Sequence, residues 1–139
     1  MKHKSVVCAI LVGVDGRVLL QQRDEKPGLV YAGYWTIFGG QVEAGETPDE
    51  AIQRELREEL DITLPLRLWS EYICPVRTRP GELTVTNHVY VGEMPYDINT
   101  LTLYEGQAMR YFSAEDSADL LLAFDQHIPL RAYFQGRKR

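Results

Sequence analysis

The chain has 139 residues, with 45% hydrophobic and 25% charged side chains, which suits one packed domain over 1–139 and excludes a disordered or fibrous chain. Its net charge of −5 disfavours nucleic-acid polymers and anionic membranes as partners. Small phosphorylated ligands stay open, because a bound metal ion reverses the local field.

The N-terminal stretch places Lys2 and Lys4 before the apolar run VVCAILVGV. This mimics the start of a signal peptide, but no small-residue cleavage site follows and the run is too short to span a bilayer. A buried strand over 5–14 is expected instead. Asp15-Gly16 signals a hairpin, and RVLLQQR (17–23) returns antiparallel. Pro27, Gly28 and Gly33 mark a loop. WTIF (35–38) is a short strand ending at Gly39-Gly40.

Helix punctuation follows. Thr47 is an N-cap, Pro48 suits the first helical position, and Glu50 completes a capping box. The helix is expected from about Pro48 to Leu60. Beyond it, 64–76 reads as extended, RTRPGE breaks the chain, and 83–94 alternates as a strand around Thr84, Thr86 and His88. EGQAMRYFS (105–113) supplies a further strand. A helical turn capped by Ser113 and a C-terminal helix over about 125–134 follow, with GRKR as a solvated tail. Strands, one central helix, more strands and a final helix predict an α/β fold, a mixed sheet with helices on both faces.

The cysteines Cys8 and Cys74 form no CxxC pair and no disulfide framework. Reduced thiols in the cytoplasm are the expectation. His3, His88 and His127 show no zinc spacing.

The central helix carries the chemistry. Ile52, Leu56 and Leu60 recur at i, i+4, i+8 and form a packed stripe. Glu55, Glu58 and Glu59 crowd the neighbouring face, with Ala51 leaving room one turn earlier. Clustered acids near a helix C-terminus repel one another and oppose the helix dipole. Either they form a solvated face partnered by Arg54 and Arg57, or they converge on a cation. Mg²⁺ or Mn²⁺ suits oxygen ligands beside phosphates. Gly39-Gly40 allows close backbone approach, and Gly45 turns the loop before the helix.

Residues 40–62, GQVEAGETPDEAIQRELREELDI, resemble the signature of the Nudix hydrolases, GX5EX7REUXEEXGU, where U is bulky and apolar. Gly40 is the first glycine, Glu46 the first glutamate, Arg54-Glu55-Leu56 the REU, Glu58-Glu59 the EE pair and Ile62 the last U. Asp61 departs from the pattern, standing at the box glycine. It is expected to take the left-handed conformation after the last turn. The strand–loop–helix order from about 5 to 113 also looks like the family.

The resemblance implies a Nudix-type α/β/α sandwich that hydrolyses a diphosphate bond in a nucleoside diphosphate linked to another group. It implies metal ligands at Gly40 (through its carbonyl), Glu55, Glu58 and Glu59, with Glu55 a ligand or a base. Arg54 orients Glu55, and Glu46 supports the loop. In MutT-type members a further acid lies in a stretch like EGQAMRYFS, which points to Glu105 as ligand or general base. Arg23 matches a phosphate-contacting position, and Asp125 a position that reads a purine edge. Arg77 and Arg79 either meet phosphate or stay solvated, and Tyr31, Tyr34 and Phe124 offer stacking or packing surfaces. Many members that act on triphosphate pools have Pro before Gly-Gly; this chain has Phe38. A nucleoside triphosphate pyrophosphohydrolase is the leading expectation. Alternatives are a nucleotide-sugar or ADP-ribose-type diphosphatase and a non-catalytic nucleotide-binding module. Family members are often homodimers, which makes a homodimer a further expectation.

Overall fold

The structure is a computed structural model, and it describes residues 2–137. The elements in order are β1 (Lys2–Gly13), β2 (Val18–Gln22), β3 (Trp35–Gln41), α1 (Pro48–Leu60), β4 (Arg67–Pro75), β5 (Leu83–Met94), a 3-10 turn (Ile98–Thr100), β6 (Ala108–Phe112), α2 (Ala114–Ala118), a second 3-10 turn (Ala123–Asp125) and α3 (His127–Arg137). The strands form one mixed sheet in the order β4-β5-β1-β3-β2-β6. Among the described strands only the β1–β5 pair runs parallel; the other strand–strand pairs are antiparallel.

Side chains alternate across the strands, so each strand feeds two cores. Val7, Ala9 and Leu11 of β1 and Leu19 of β2 face α1, where they meet Ile52, Leu56 and Leu60. Cys8, Ile10, Val18 and Leu20 face the other way and meet Leu130 of α3, with Tyr133 and Phe134 packed alongside. Fully burying a leucine such as Leu56 contributes roughly 1.5–3 kcal/mol, so both layers hold the sheet flat against its helices. This is the expected α/β/α arrangement.

Three sequence expectations change. The strand at Trp35 does not end at the glycine pair but continues to Gln41. Gly39 pairs with Cys8, and a Cβ there would collide with the Val7 carbonyl, so glycine lets β3 lie close on β1. The strand expected from Glu105 begins only at Ala108; Gly106, at φ +84°, turns the chain and leaves Glu105 in a loop. The expected tail is shorter, because Gly136 and Arg137 continue α3, while Lys138 and Arg139 lie outside the described residues.

The helix punctuation behaves as expected. Glu50 N–H donates to Thr47 Oγ1 at 3.2 Å, and Thr47 N–H donates to Glu50 Oε1 at 2.9 Å. Asp61 ends α1 in the left-handed conformation, φ 55° and ψ 44°. Among the described residues no helix is long and apolar enough to cross a membrane.

Candidate active site

The buried surface of α1 is wider than the apolar stripe. Ala51, Glu55 and Glu59 form a second row beside Ile52, Leu56 and Leu60, and all six are buried. Glu55 is 8% exposed and Glu59 only 2%. Two carboxylates therefore enter the sheet–helix interface. Glu58 does not join them. Its side chain is 49% exposed and takes a bond from Arg54 at 3.2 Å. The single convergence of three helix acids expected from helix geometry is thus corrected: the helix turns Glu58 outward, and the third converging carboxylate comes from the Glu105 loop. Glu55, Glu59 and Glu105 each offer an oxygen within 4.8 Å of the others.

The loop bearing Glu105 is pinned beside the helix. Tyr104 N–H donates to the Glu59 carbonyl at 2.9 Å, and Gln107 N–H donates to the Gln22 carbonyl at 2.9 Å. Glu105 itself remains exposed.

Arg54 organises the polar side of the helix. Its Nε and Nη2 donate to Glu46 Oε2 and Oε1 at 2.7 and 3.0 Å. Its Nη1 reaches Glu55 Oε1 at 2.9 Å, and Nη2 also donates to the Gln41 carbonyl at 2.9 Å. The paired Arg54 contacts hold Glu46 down to about 2, because they favour its charged form. Glu55 moves the other way. Burial pushes it up to about 7 against the pull of Arg54. Glu59 is also raised well above its ordinary value, again chiefly by burial.

These acids fit a divalent cation. Glu59 Oε1 is buried without a hydrogen-bond partner among the described residues, and an orphaned buried oxygen is costly unless something positive meets it. A Cβ at Gly40 would collide with the Glu55 carboxylate, so glycine keeps that space open. All the donors are oxygens, the ligand set of Mg²⁺, Mn²⁺ and Ca²⁺.

Arg23 stands at the edge of this site, half-buried. Burial lowers its pKa while the charge of Glu59 pulls it back up. Its Nε donates to the Val30 carbonyl at 3.0 Å, and its guanidinium lies 5.8 Å from the Phe124 ring centre. Asp125 follows Phe124, and both adopt positive φ. The Asp125 carboxylate takes two bonds from Arg77, at 3.3 and 2.9 Å. Tyr31 is buried in packing, with its ring 5.1 Å from Tyr34 and 4.9 Å from Phe124. Arg79 donates to the Gly28 carbonyl, which ties the two loops together.

Two features escaped the sequence reading. Gln21 donates from Nε2 to Glu59 Oε2. A signal existed for it, because Gln21 shares strand parity with the core residue Leu19 and is therefore a polar side chain on a core face. No local pattern announced the Arg77–Asp125 pair, which joins residues 48 positions apart.

A NUDIX domain model matches residues 1–133. The chain belongs to the Nudix family. It is 34% identical over 136 residues to the CTP pyrophosphohydrolase of Escherichia coli K12, an alignment covering 98% of this chain and 94% of that protein. Over 60 residues it is 43% identical to the nucleoside triphosphatase NudI of Escherichia coli K12 / DH10B, covering 43% of this chain and 41% of that one. The crystal structure of a MutT protein from Methanosarcina mazei Go1 superposes with a TM-score of 0.82 at 23% identity, covering 99% of this chain and 96% of that one. This Nudix chain is a hydrolase acting on a diphosphate bond in a nucleoside diphosphate linked to another group. The family uses divalent metal and takes small nucleotide substrates.

Proposed function

We propose that this Nudix hydrolase is a nucleoside triphosphate pyrophosphohydrolase, using Mg²⁺ or Mn²⁺ and releasing pyrophosphate and a nucleoside monophosphate. The carrying observation is the meeting of Glu55, Glu59 and Glu105, with one Glu59 oxygen, Oε1, left unpartnered. Identity over nearly the full length with a CTP pyrophosphohydrolase makes cytidine triphosphate the first substrate to test.

In this reading Glu55, Glu59 and the Gly40 carbonyl hold the metal, and Glu58, which stands outside the converged set on Arg54, swings in as a further ligand when the cation binds. The bound cation supplies a water of lowered pKa and neutralises charge on the phosphate oxygens. Arg54 fixes the direction of Glu55. Glu105, the exposed member of the cluster, takes the proton of the attacking water or joins the ligands. Arg23 meets phosphate oxygens. Asp125, held by Arg77, accepts from an exocyclic amino group on the base, as carboxylates do from cytosine N4. A cytoplasmic, homodimeric enzyme is the form that goes with this reading.

The test is a nucleotide panel with Mg²⁺ and product identification. Pyrophosphate with nucleoside monophosphate from a triphosphate, and loss of turnover in Glu58→Gln, are the expected results. Turnover only of nucleotide sugars or ADP-ribose, giving a sugar phosphate with a monophosphate, overturns the triphosphate reading. Tight nucleotide binding with no turnover under either metal overturns catalysis.

A further inference from the structure

Gln21 lies one residue before the end of β2, outside the signature segment, yet it stands between Glu59 and the Glu105 loop. It is 5% exposed on the α1 face of β2. Its Nε2 donates to Glu59 Oε2. The amide nitrogen faces Glu59, so the amide oxygen points the other way. That oxygen lies under the Glu105 loop. A Cβ on Gly106 would stand 2.7 Å from Gln21 Oε1 and 2.8 Å from the Gln22 carbonyl. The loop can therefore close on the Gln21 amide only through a glycine. The hydrogen bonds from Tyr104 and Gln107 hold it there.

We propose that Gln21 is a positioning residue for metal binding: it holds Glu59 Oε2, leaves Oε1 as the free ligand atom, and seats the Glu105 loop at its distance from Glu59. The proposal rests on the divalent-metal reading of these acids. Gln21 touches neither metal nor substrate and acts through the two carboxylates. Without its donor, Glu59 loses its side-chain hold on Oε2 and can share both oxygens. Without its bulk, the Glu105 loop loses its seat. A buried glutamine that merely satisfies the core would leave metal affinity untouched.

The experiment measures Mn²⁺ binding to the substrate-free full chain by electron paramagnetic resonance. The variants are Gln21→Met, which keeps length without a donor, and the neighbour Gln22→Met, whose Nε2 donates to the Gly33 carbonyl on a loop. Mn²⁺ affinity is expected to fall about tenfold in Gln21→Met and to stay within about twofold of wild type in Gln22→Met. The Mn²⁺ concentration for half-maximal activity is expected to rise in parallel. Affinity within about twofold of wild type in folded Gln21→Met, or an equal fall in Gln22→Met, overturns the proposal. If Gln21→Met does not fold, Gln21→Asn keeps the amide but withdraws it from Glu59 by one methylene. A fall in Mn²⁺ affinity there supports the proposal, and unchanged affinity overturns it. Wild-type protein that binds no Mn²⁺ sinks the metal reading itself, an outcome distinct from the failure of Gln21 alone.

Discussion

Arg54 grips Glu46 through two parallel hydrogen bonds, Nε to Oε2 at 2.7 Å and Nη2 to Oε1 at 3.0 Å. The pair closes the loop before α1 onto the helix and leaves Nη1 for Glu55. A lysine keeps the charge but cannot form the fork. Arg54→Lys is therefore expected to lower kcat about tenfold to a hundredfold and to lower Tm. Steady-state kinetics and thermal unfolding check this; wild-type kcat in the lysine variant would show that the fork is dispensable.

Glu59 trades stability for its site. It is buried with one oxygen unpartnered, and removing such a charge commonly stabilises a protein. Glu59→Gln keeps an acceptor for Gln21. It is expected to raise the metal-free unfolding free energy by on the order of 1 kcal/mol near pH 8 while abolishing turnover. Denaturant unfolding with chelator present gives the answer, and a destabilised variant contradicts the argument.

The raised acids set the pH dependence. Glu55 sits at about 7 in the folded chain and near the ordinary glutamate value when unfolded. Between those two values the folded state binds more protons, so raising the pH through this window favours unfolding. Glu59 has the same sign. Glu46, held at about 2, has the opposite sign, and its contribution is lost only as the pH falls toward that value. Metal-free protein should thus lose stability from about pH 5 to about pH 8, and a divalent cation should remove that loss by binding the ionised acids. Thermal scans at both pH values, with chelator and then with Mn²⁺, check it. A metal-free Tm that rises toward pH 8 is the contrary result.

Adjacent glycines are expected to fail differently. A Cβ at Gly39 meets the backbone of Val7, whereas the nearest atoms to one at Gly40 are those of the Glu55 carboxylate. Backbone cannot step aside and a side chain can. Gly39→Ala should cost about 3 kcal/mol or more. Gly40→Ala should change stability by about 1 kcal/mol or less, yet lower kcat at least about tenfold by moving Glu55. Unfolding and kinetics on both variants separate the cases; equal stability losses contradict the distinction.

Asp61 holds a left-handed conformation at the end of α1, where an L side chain is strained. Asp61→Gly relieves that strain and adds unfolded-state entropy, for a net gain of about 0.5 kcal/mol, with kcat unchanged. A large change in turnover would assign Asp61 a role in the reaction.

Local physics made much of this protein readable along the chain. The capping box, the proline at the first helical position, the left-handed end at Asp61 and the hairpin at Asp15-Gly16 each depend on neighbours a few residues apart. The Ile52–Leu56–Leu60 stripe and the Nudix signature lie within one segment, so the family and the acidic helix were legible before any fold was known. Tertiary structure decided which acids meet. Helix geometry placed Glu55, Glu58 and Glu59 together, but only packing on the sheet buried Glu55 and Glu59 and left Glu58 outside with Arg54. The closure of the Glu105 loop on Gln21, and the Arg77–Asp125 pair, join residues far apart in sequence. Such contacts depend on how strands and loops stack in space, and no local periodicity encodes that.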